Sequence, residues 1–407
     1  MRDKISSIII TVLVISFCSA SLGKIVATET DSGKEKKWSI RIAESFLERN
    51  PKFIVYDPDP TKQKWNYEQG LMLNSMRQMY LLTKDKKYFE YIKRNLDQNV
   101  QEDGSITTYK ISEYNIDQIG PGRALLFTYQ MTKKVKYKIA ADSLRKQLAG
   151  HPRTISNGFW HKKIYPYQMW LDGLYMGEPF YSEYSTMFNN SKDFDDITHQ
   201  FELIYEKTKD QKTGLLYHAW DESKSQKWAD KETGLSAHFW GRGIGWYMMA
   251  LVDVLDFVPK NHPKRAMLVD QLKEMSEVLI KFRDQKSKVW YQILDLPDRA
   301  PNYLEASGSA MFTYAFAKGA NKGYLNKKFL TYAKESFDGM VKEFVTIDEK
   351  GIINLHNICQ GAGLGGEPYR DGTFEYYMSE KQRTNDYKGY GAFLLSAIEL
   401  ERGKILK

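Results

Sequence analysis

Residues 67–82 read YEQGLMLNSMRQMYLL, and this stretch decides the fold class. Leu71, Met72, Met79 and Leu82 recur at the spacing of an α-helix. Downstream, Phe89, Ile92 and Leu96 repeat the pattern. Upstream, Ile40, Ala43, Phe46 and Leu47 form the face of a first helix that Ser39 can cap. The same periodicity predicts helices near 116–130, 135–148, 194–207, 243–257, 263–282, 303–318, 327–344 and 386–401, and short helices can lie hidden within 165–185. Connectors such as 101–105 and 210–214 carry Gly, Asp, Asn and Pro, and alternating strand patterns are sparse. No Pro- or Ser-rich linker divides residues 38–407, so one all-α domain of ten to fourteen helices is expected. Antiparallel helical hairpins of this kind can close into a ring around a central cleft. No strict period is visible, which argues against a solenoid of near-identical repeats.

The 407 residues can bury a large core without disulfides. Aromatic residues make up 14% of the chain, with 27 Tyr and 9 Trp, and rings with polar edges suit sugar faces. Arg2 and Lys4 precede an apolar run over 8–17, with Cys18 and Ala20 as small residues for cleavage. Residues 1–20 are therefore expected to be a secretory signal, too short for stable membrane insertion, and 21–37 a polar, disordered lead-in. Export to the periplasm is expected, with secretion or an outer-membrane lipoprotein acylated at Cys18 as alternatives; the bulky Phe17 fits lipidation poorly. Only Cys359 would remain, which excludes an intramolecular disulfide and disfavours a cysteine metal site. The formal charge is +8. That excess can steer polyanions towards the protein, but no basic run or nucleic-acid motif is present. An acidic oligosaccharide is the expected partner. The oligomeric state is not legible.

Two further stretches carry chemistry. Residues 165–179 read YPYQMWLDGLYMGEP, and 216–246 read LYHAWDESKSQKWADKETGLSAHFWGRGIGW. The first sets Asp172 among Tyr167, Trp170 and Tyr175. The second adds His218, Trp220, Trp228, Trp240, Arg242 and Trp246. An acid beside stacking rings and a guanidinium suits a sugar that bears its own negative charge. Arg242 can bind a substrate carboxylate bidentately or lock a loop by pairing with a protein acid. Gly241, Gly243 and Gly245 are expected to allow a tight turn between stacking walls. GRGIG is no phosphate loop, because no strand precedes it and no GK[ST] follows. No metal-ligand spacing is present, so neither a metal nor a cofactor is expected.

With WNYEQG at 65–70, YNIDQIGPGRALL at 114–126, MWLDGLYMGEPF at 169–180, YHAWDES at 217–223, HFWGRGIGWYMMALVD at 238–253, CQGAGLGG at 359–366 and RDGTFEYYMSE at 370–380, the chain resembles the unsaturated glycuronyl hydrolases. Glycoside hydrolase family 105, the unsaturated rhamnogalacturonyl hydrolases, is the nearer branch, and family 88 is more distant. The resemblance implies an (α/α)6 barrel, a six-hairpin toroid. It also implies removal of a 4,5-unsaturated uronic acid from the non-reducing end of lyase-generated oligosaccharides. Asp172 matches the family's catalytic acid/base and Asp117 its second active-site aspartate, while His161, His218, Trp240, Arg242 and Trp246 match other pocket residues.

Most glycosidases work at C1 with two carboxylates. The chemistry implied here protonates C4 of a vinyl ether instead, and water then adds at C5. Asp172 is the expected proton donor, shielded by Trp170 and nearby rings. Asp117 is expected to tune Asp172, bind a hydroxyl or position water, or else to cap a helix starting near Gln118. His161 and His218 are expected to bond hydroxyls or water. Rhamnose-linked uronides are the expected substrates, 3-sulfated as in ulvan or unsulfated as in pectic rhamnogalacturonan, with glycosaminoglycan fragments as a third setting. The segment 366–388, with Arg370, Lys381, Arg383 and Lys388, is expected near the leaving sugar. A non-catalytic carbohydrate-binding protein, or an epimerase or endo-acting glycosidase, on the same toroid is the alternative.

Overall fold

Two kinds of helix alternate along the chain. In α3 (Lys86–Asn99), Tyr88, Tyr91, Ile92, Asn95, Leu96 and Asn99 are buried and the other face is wet, the stripe of a helix packed on one side. In α8 (Gly241–Val254) every residue is buried, as in a helix surrounded by protein. The computed structural model describes residues 36–55 and 64–406. The signal segment, Cys18 and the lead-in up to residue 35 lie outside the described residues.

The remaining helices are α1 (Trp38–Arg49), α2 (Tyr67–Thr83), α4 (Gly122–Thr132), α5 (Val135–Ala149), α6 (Leu171–Met187), α7 (Asp193–Thr208), α9 (Arg265–Lys281), α10 (Ala306–Asn321), α11 (Lys328–Phe344), α12 (Phe374–Ser379) and α13 (Tyr387–Arg402). Helices α2, α4, α6, α8, α10 and α13 pack each on the next, and α13 returns to α2. Outside them, α3, α5, α7, α9 and α11 each pack on the inner helix that precedes them, and α1 packs on α13. These six hairpins make an (α/α)6 barrel.

Ser39 does not cap α1. The helix begins one residue earlier, and the Ser39 hydroxyl and N–H instead donate to the Glu401 carboxylate at 2.6 and 2.8 Å. The helix expected over 116–130 is broken in two. A 3-10 turn at Ile116–Ile119 precedes α4, with Gly120 and Pro121 between them. The segment 165–185 holds no short helices but most of the 17-residue α6.

Two short strands bring the distant motifs together. β1 (Gln168–Trp170) pairs antiparallel with β2 (Ala219–Asp221), Trp170 opposite Ala219. β3 (Val345–Ile347) and β4 (Ile353–Leu355) form a hairpin, and β5 (Ile358–Cys359) pairs with β6 (Gln382–Arg383).

Inside the ring lies a network of buried charge. Arg77 of α2 bonds Glu183 of α6 at 2.7 Å, Arg123 of α4 reaches both Glu183 and Asp253 of α8, and Lys318 of α10 bonds Asp253 at 2.6 Å. Tyr314 also donates to Asp253. Burial alone would raise the Asp253 pKa, but Lys318 and Arg123 outweigh it and hold the carboxyl far below its ordinary range. The stability this supplies is therefore complete above the unfolded pKa of about 4 and is lost only as pH falls below it. Asp253→Ala is expected to leave Arg123 with Glu183 alone and Lys318 with Asp256 alone, and to lower unfolding stability by about 3 kcal/mol, measured by urea denaturation at pH 7.

Candidate active site

Asp172 is the second residue of α6, directly after β1. The strand pairing and a bond from Leu171 N–H to the His218 carbonyl, 3.1 Å, set it beside His218. His218 Nε2 stands 3.2 Å from Asp172 Oδ2, just short of hydrogen-bond alignment. Asp117 comes from the 3-10 turn before α4, where the Asn115 side chain accepts its N–H. That turn lies against α2 so closely that a Cβ on Gly70 would stand 2.6 Å from the Gly120–Pro121 backbone. Asp117 therefore sits inside the turn and caps no helix.

A cleft of about 690 Å³ opens between these elements, and Asp117, His161, Trp170, Asp172, Trp240, Arg242 and Trp246 all line it. Trp170 lies flat on His161 at 4.4 Å and on Tyr165 at 5.0 Å, which makes one wall. Trp246 stacks on Tyr175 at 4.8 Å and meets the edge of Tyr67. His218 departs from expectation. It is fully buried behind Trp170 and Trp240, so its contact is with Asp172 and not with a bound sugar. Of the other rings, Tyr167 is exposed and packs on Trp160, while Trp220 and Trp228 belong to the packing behind the wall.

Asp117 has a partner that the sequence did not single out. Lys162 Nζ lies 2.6 Å from its Oδ2, and His161 Nε2 lies 3.4 Å from its Oδ1. Burial would raise the Asp117 pKa, but Lys162 and then His161 overcome it, leaving the carboxyl below its ordinary value. Desolvation lowers the His161 pKa to about 4, against the pull of Asp117, so the ring is neutral at pH 7. Lys162 and Lys163 are alike in sequence; only the fold turns one of them inward.

Arg242 lines the cleft but does not pair with a protein acid. It lies under the cleft, over the Trp240 ring at 4.9 Å, and donates to the Cys359 carbonyl and the Ser307 hydroxyl. Among the described residues no carboxylate lies within ion-pair distance of it. It locks a loop, but through a carbonyl. Gly241, Gly243 and Gly245 lie in α8 and not in a tight turn. They serve close packing: a Cβ on Gly243 would stand 3.2 Å from Trp240, and one on Gly245 2.8 Å from Met311. The far rim is built by 360–363, Arg370, Glu380 and Arg383. Arg370 bonds the Tyr165 hydroxyl at 2.8 Å, tying this rim to the ring wall. Lys388, expected there, is buried and paired with Asp386 at 2.8 Å; Lys381 does not line the cleft. Among the described residues no cluster of His, Cys, Asp or Glu could hold a metal ion, and no helix is long and apolar enough to cross a membrane.

A helical toroid whose ring-walled cleft holds two aspartates beside Glu68 and Glu380 is the architecture of a carbohydrate-active enzyme. The model of glycosyl hydrolase family 88 matches residues 38–404. A glycoside hydrolase from family 105 of C. acetobutylicum ATCC 824 is 48% identical, with a TM-score of 0.86, over 90% of this chain and all of that one. Protein Atu3128 of Agrobacterium fabrum (strain C58) is 35% identical over 55% of this chain and 97% of its own length. An unsaturated rhamnogalacturonyl hydrolase of Bacillus subtilis (strain 168) is 28% identical over 75% of this chain and 83% of its own. The chain belongs to the related families 88 and 105, the unsaturated glycuronyl hydrolases, and is a glycosidase.

His161 protonates near 6.5 when unfolded but near 4 when folded, so the unfolded chain gains its proton first. Its contribution is complete above about pH 6.5, and of the order of 3 kcal/mol drains as pH falls to 4. The melting temperature is expected to drop over that interval, and to drop less in His161→Gln, measured by differential scanning fluorimetry.

Proposed function

We propose that this enzyme removes a 4,5-unsaturated uronic acid from the non-reducing end of lyase-generated oligosaccharides, with rhamnose as the adjoining sugar. One observation carries the assignment of roles. The two cleft aspartates differ in their partners: Asp117 is bound to a lysine, whereas Asp172 faces only a histidine. Asp117 is thus a standing carboxylate, fit to accept a sugar hydroxyl or orient water. Of the other carboxyls on the lining, Glu68 faces Lys388 at 3.6 Å and Glu380 accepts from Tyr376 on the far rim, so Asp172 is left as the acid.

In this mechanism Asp172 protonates C4 of the terminal ring, the π pair forms the new C–H bond, and the ring oxygen stabilises the cation at C5. Water adds at C5 and gives its proton back to Asp172. The resulting hemiketal opens and frees the neighbouring sugar. Trp246 and the Trp170 wall hold the ring, and Lys162 and Arg242 offset the charge of the uronate. Asp172→Asn is expected to abolish turnover without loss of folding. The assay follows the ultraviolet absorbance of the conjugated uronate as the second sugar is released. Persistent turnover in that variant, or equal cleavage of saturated sugars, would sink the assignment.

The adjoining sugar faces the rim, where Arg370 and Arg383 lie. These cations and the net positive charge favour a sulfated rhamnose of the ulvan kind. The relative named an unsaturated rhamnogalacturonyl hydrolase supports an unsulfated rhamnose as the second reading. If sulfate is read there, kcat/KM is expected to be higher for the 3-sulfated substrate, and Arg383→Gln is expected to erase the difference. Equal rates on both substrates would remove the argument from charge.

A further inference from the structure

Tyr377, in α12, lies outside the cleft and is wholly buried among Trp240, Phe374 and Ile293. Its hydroxyl stands 2.8 Å from His218 Nδ1 and has no other hydrogen-bond partner among the described residues. A phenol has one proton to donate, and a buried donor left unpaired costs roughly 1–3 kcal/mol. The Tyr377 O–H therefore donates to Nδ1. A neutral imidazole that accepts at Nδ1 must carry its hydrogen on Nε2. Nε2 is the atom facing Asp172 Oδ2. Trp170 and Trp240 pack on the same imidazole from two other directions, so the ring cannot turn away.

The two oxygens of Asp172 are unlike. Oδ2 is shut off from solvent, next to His218, while the side chain keeps some exposure to the cleft it lines, which leaves Oδ1 as the oxygen open to a substrate. We propose that Tyr377 is a positioning residue for proton transfer: its hydroxyl holds His218 as the Nε2–H tautomer, so that the imidazole steadies Oδ2 and Oδ1 delivers the proton. This rests on Asp172 being the acid. As the Oδ1–H bond breaks and the C4–H bond forms, charge spreads onto Oδ2. The loose 3.2 Å contact then closes into a hydrogen bond, as catalytic contacts that are misaligned in the free enzyme do. No proton leaves His218. In the opposite tautomer Nε2 would be an acceptor, and Asp172 would spend its proton on the histidine and not on C4.

Tyr377→Phe keeps the ring and removes the donor. In this variant kcat is expected to fall about tenfold or more while KM stays within about twofold, because Tyr377 touches no substrate. Enzyme labelled with 15N at its seven histidines gives the second reading, with the His218 signals identified by their loss in His218→Gln. The wild-type enzyme is expected to show a protonated Nε2 and a bare Nδ1, and Tyr377→Phe a mixture of both tautomers. A protonated Nδ1 in the wild type, or an unchanged kcat in a folded Tyr377→Phe, overturns the proposal. The wild-type spectrum tests the tautomer even if that variant fails to fold. Turnover by Asp172→Asn would instead overturn the acid assignment beneath it, and the tautomer would still be read independently.

Discussion

The barrel depends on charge that has nowhere to go. Arg77, Arg123, Glu183, Asp253 and Lys318 come one each from five of the six inner helices, and Asp253 and Glu183 have almost no access to water. Removing such groups from solvent costs several kcal/mol apiece, and only correctly placed partners offset it. Sliding α4, α6 or α8 along the ring would break bonds to two other helices at once. The network is thus better understood as a device for register than as a source of net stability. With register fixed inside the ring, the N-terminal residues of α2, α6 and α8 are free to line the cleft.

Within that cleft, chemistry is divided by neighbours. The two aspartates have the same side chain, and each touches a histidine. A single lysine separates their roles, because Lys162 stabilises charge on Asp117 and nothing equivalent stands by Asp172. The short β1–β2 pairing lets this happen, since it clamps two loops some fifty residues apart and aligns His218 with the start of α6. The same clamp explains why the ring wall and the acid arrive together.

The outer helices were legible in the sequence because each has a dry side and a wet side. Helix α6, which carries Asp172, was not: Leu171, residues 173–183 and Ser185 are all buried, so no period marks it, and Pro179 lies within it. The same all-round burial hid the helical start of α8, whose three glycines read as a turn and are in fact contact points. The position of the site was legible in Asp172 and Asp117, to which the family resemblance pointed, and in Trp170, Trp240 and Trp246, all of which line the cleft, whereas Trp220 and Trp228 pack behind it. The site was illegible where tertiary placement decided the outcome. Lys162 beside Lys163, the withdrawal of His218 behind two rings and the carbonyl partner of Arg242 depend on distances that sequence spacing does not encode.

The earliest described helix completes the latest hairpin. Tyr390 donates to the Ile42 carbonyl, Ile353 N–H to the Ser45 hydroxyl, and Ser39 is held by Glu401. While the polypeptide is being synthesised, α1 can meet α2 and α3 early, Phe46 against Tyr91, but the side of it that faces α13 must wait until α13 has emerged. Ring closure becomes the final act of maturation. A nascent chain kept from closing in this way would remain threadable, and exposed to chaperones, for almost the whole of its translation.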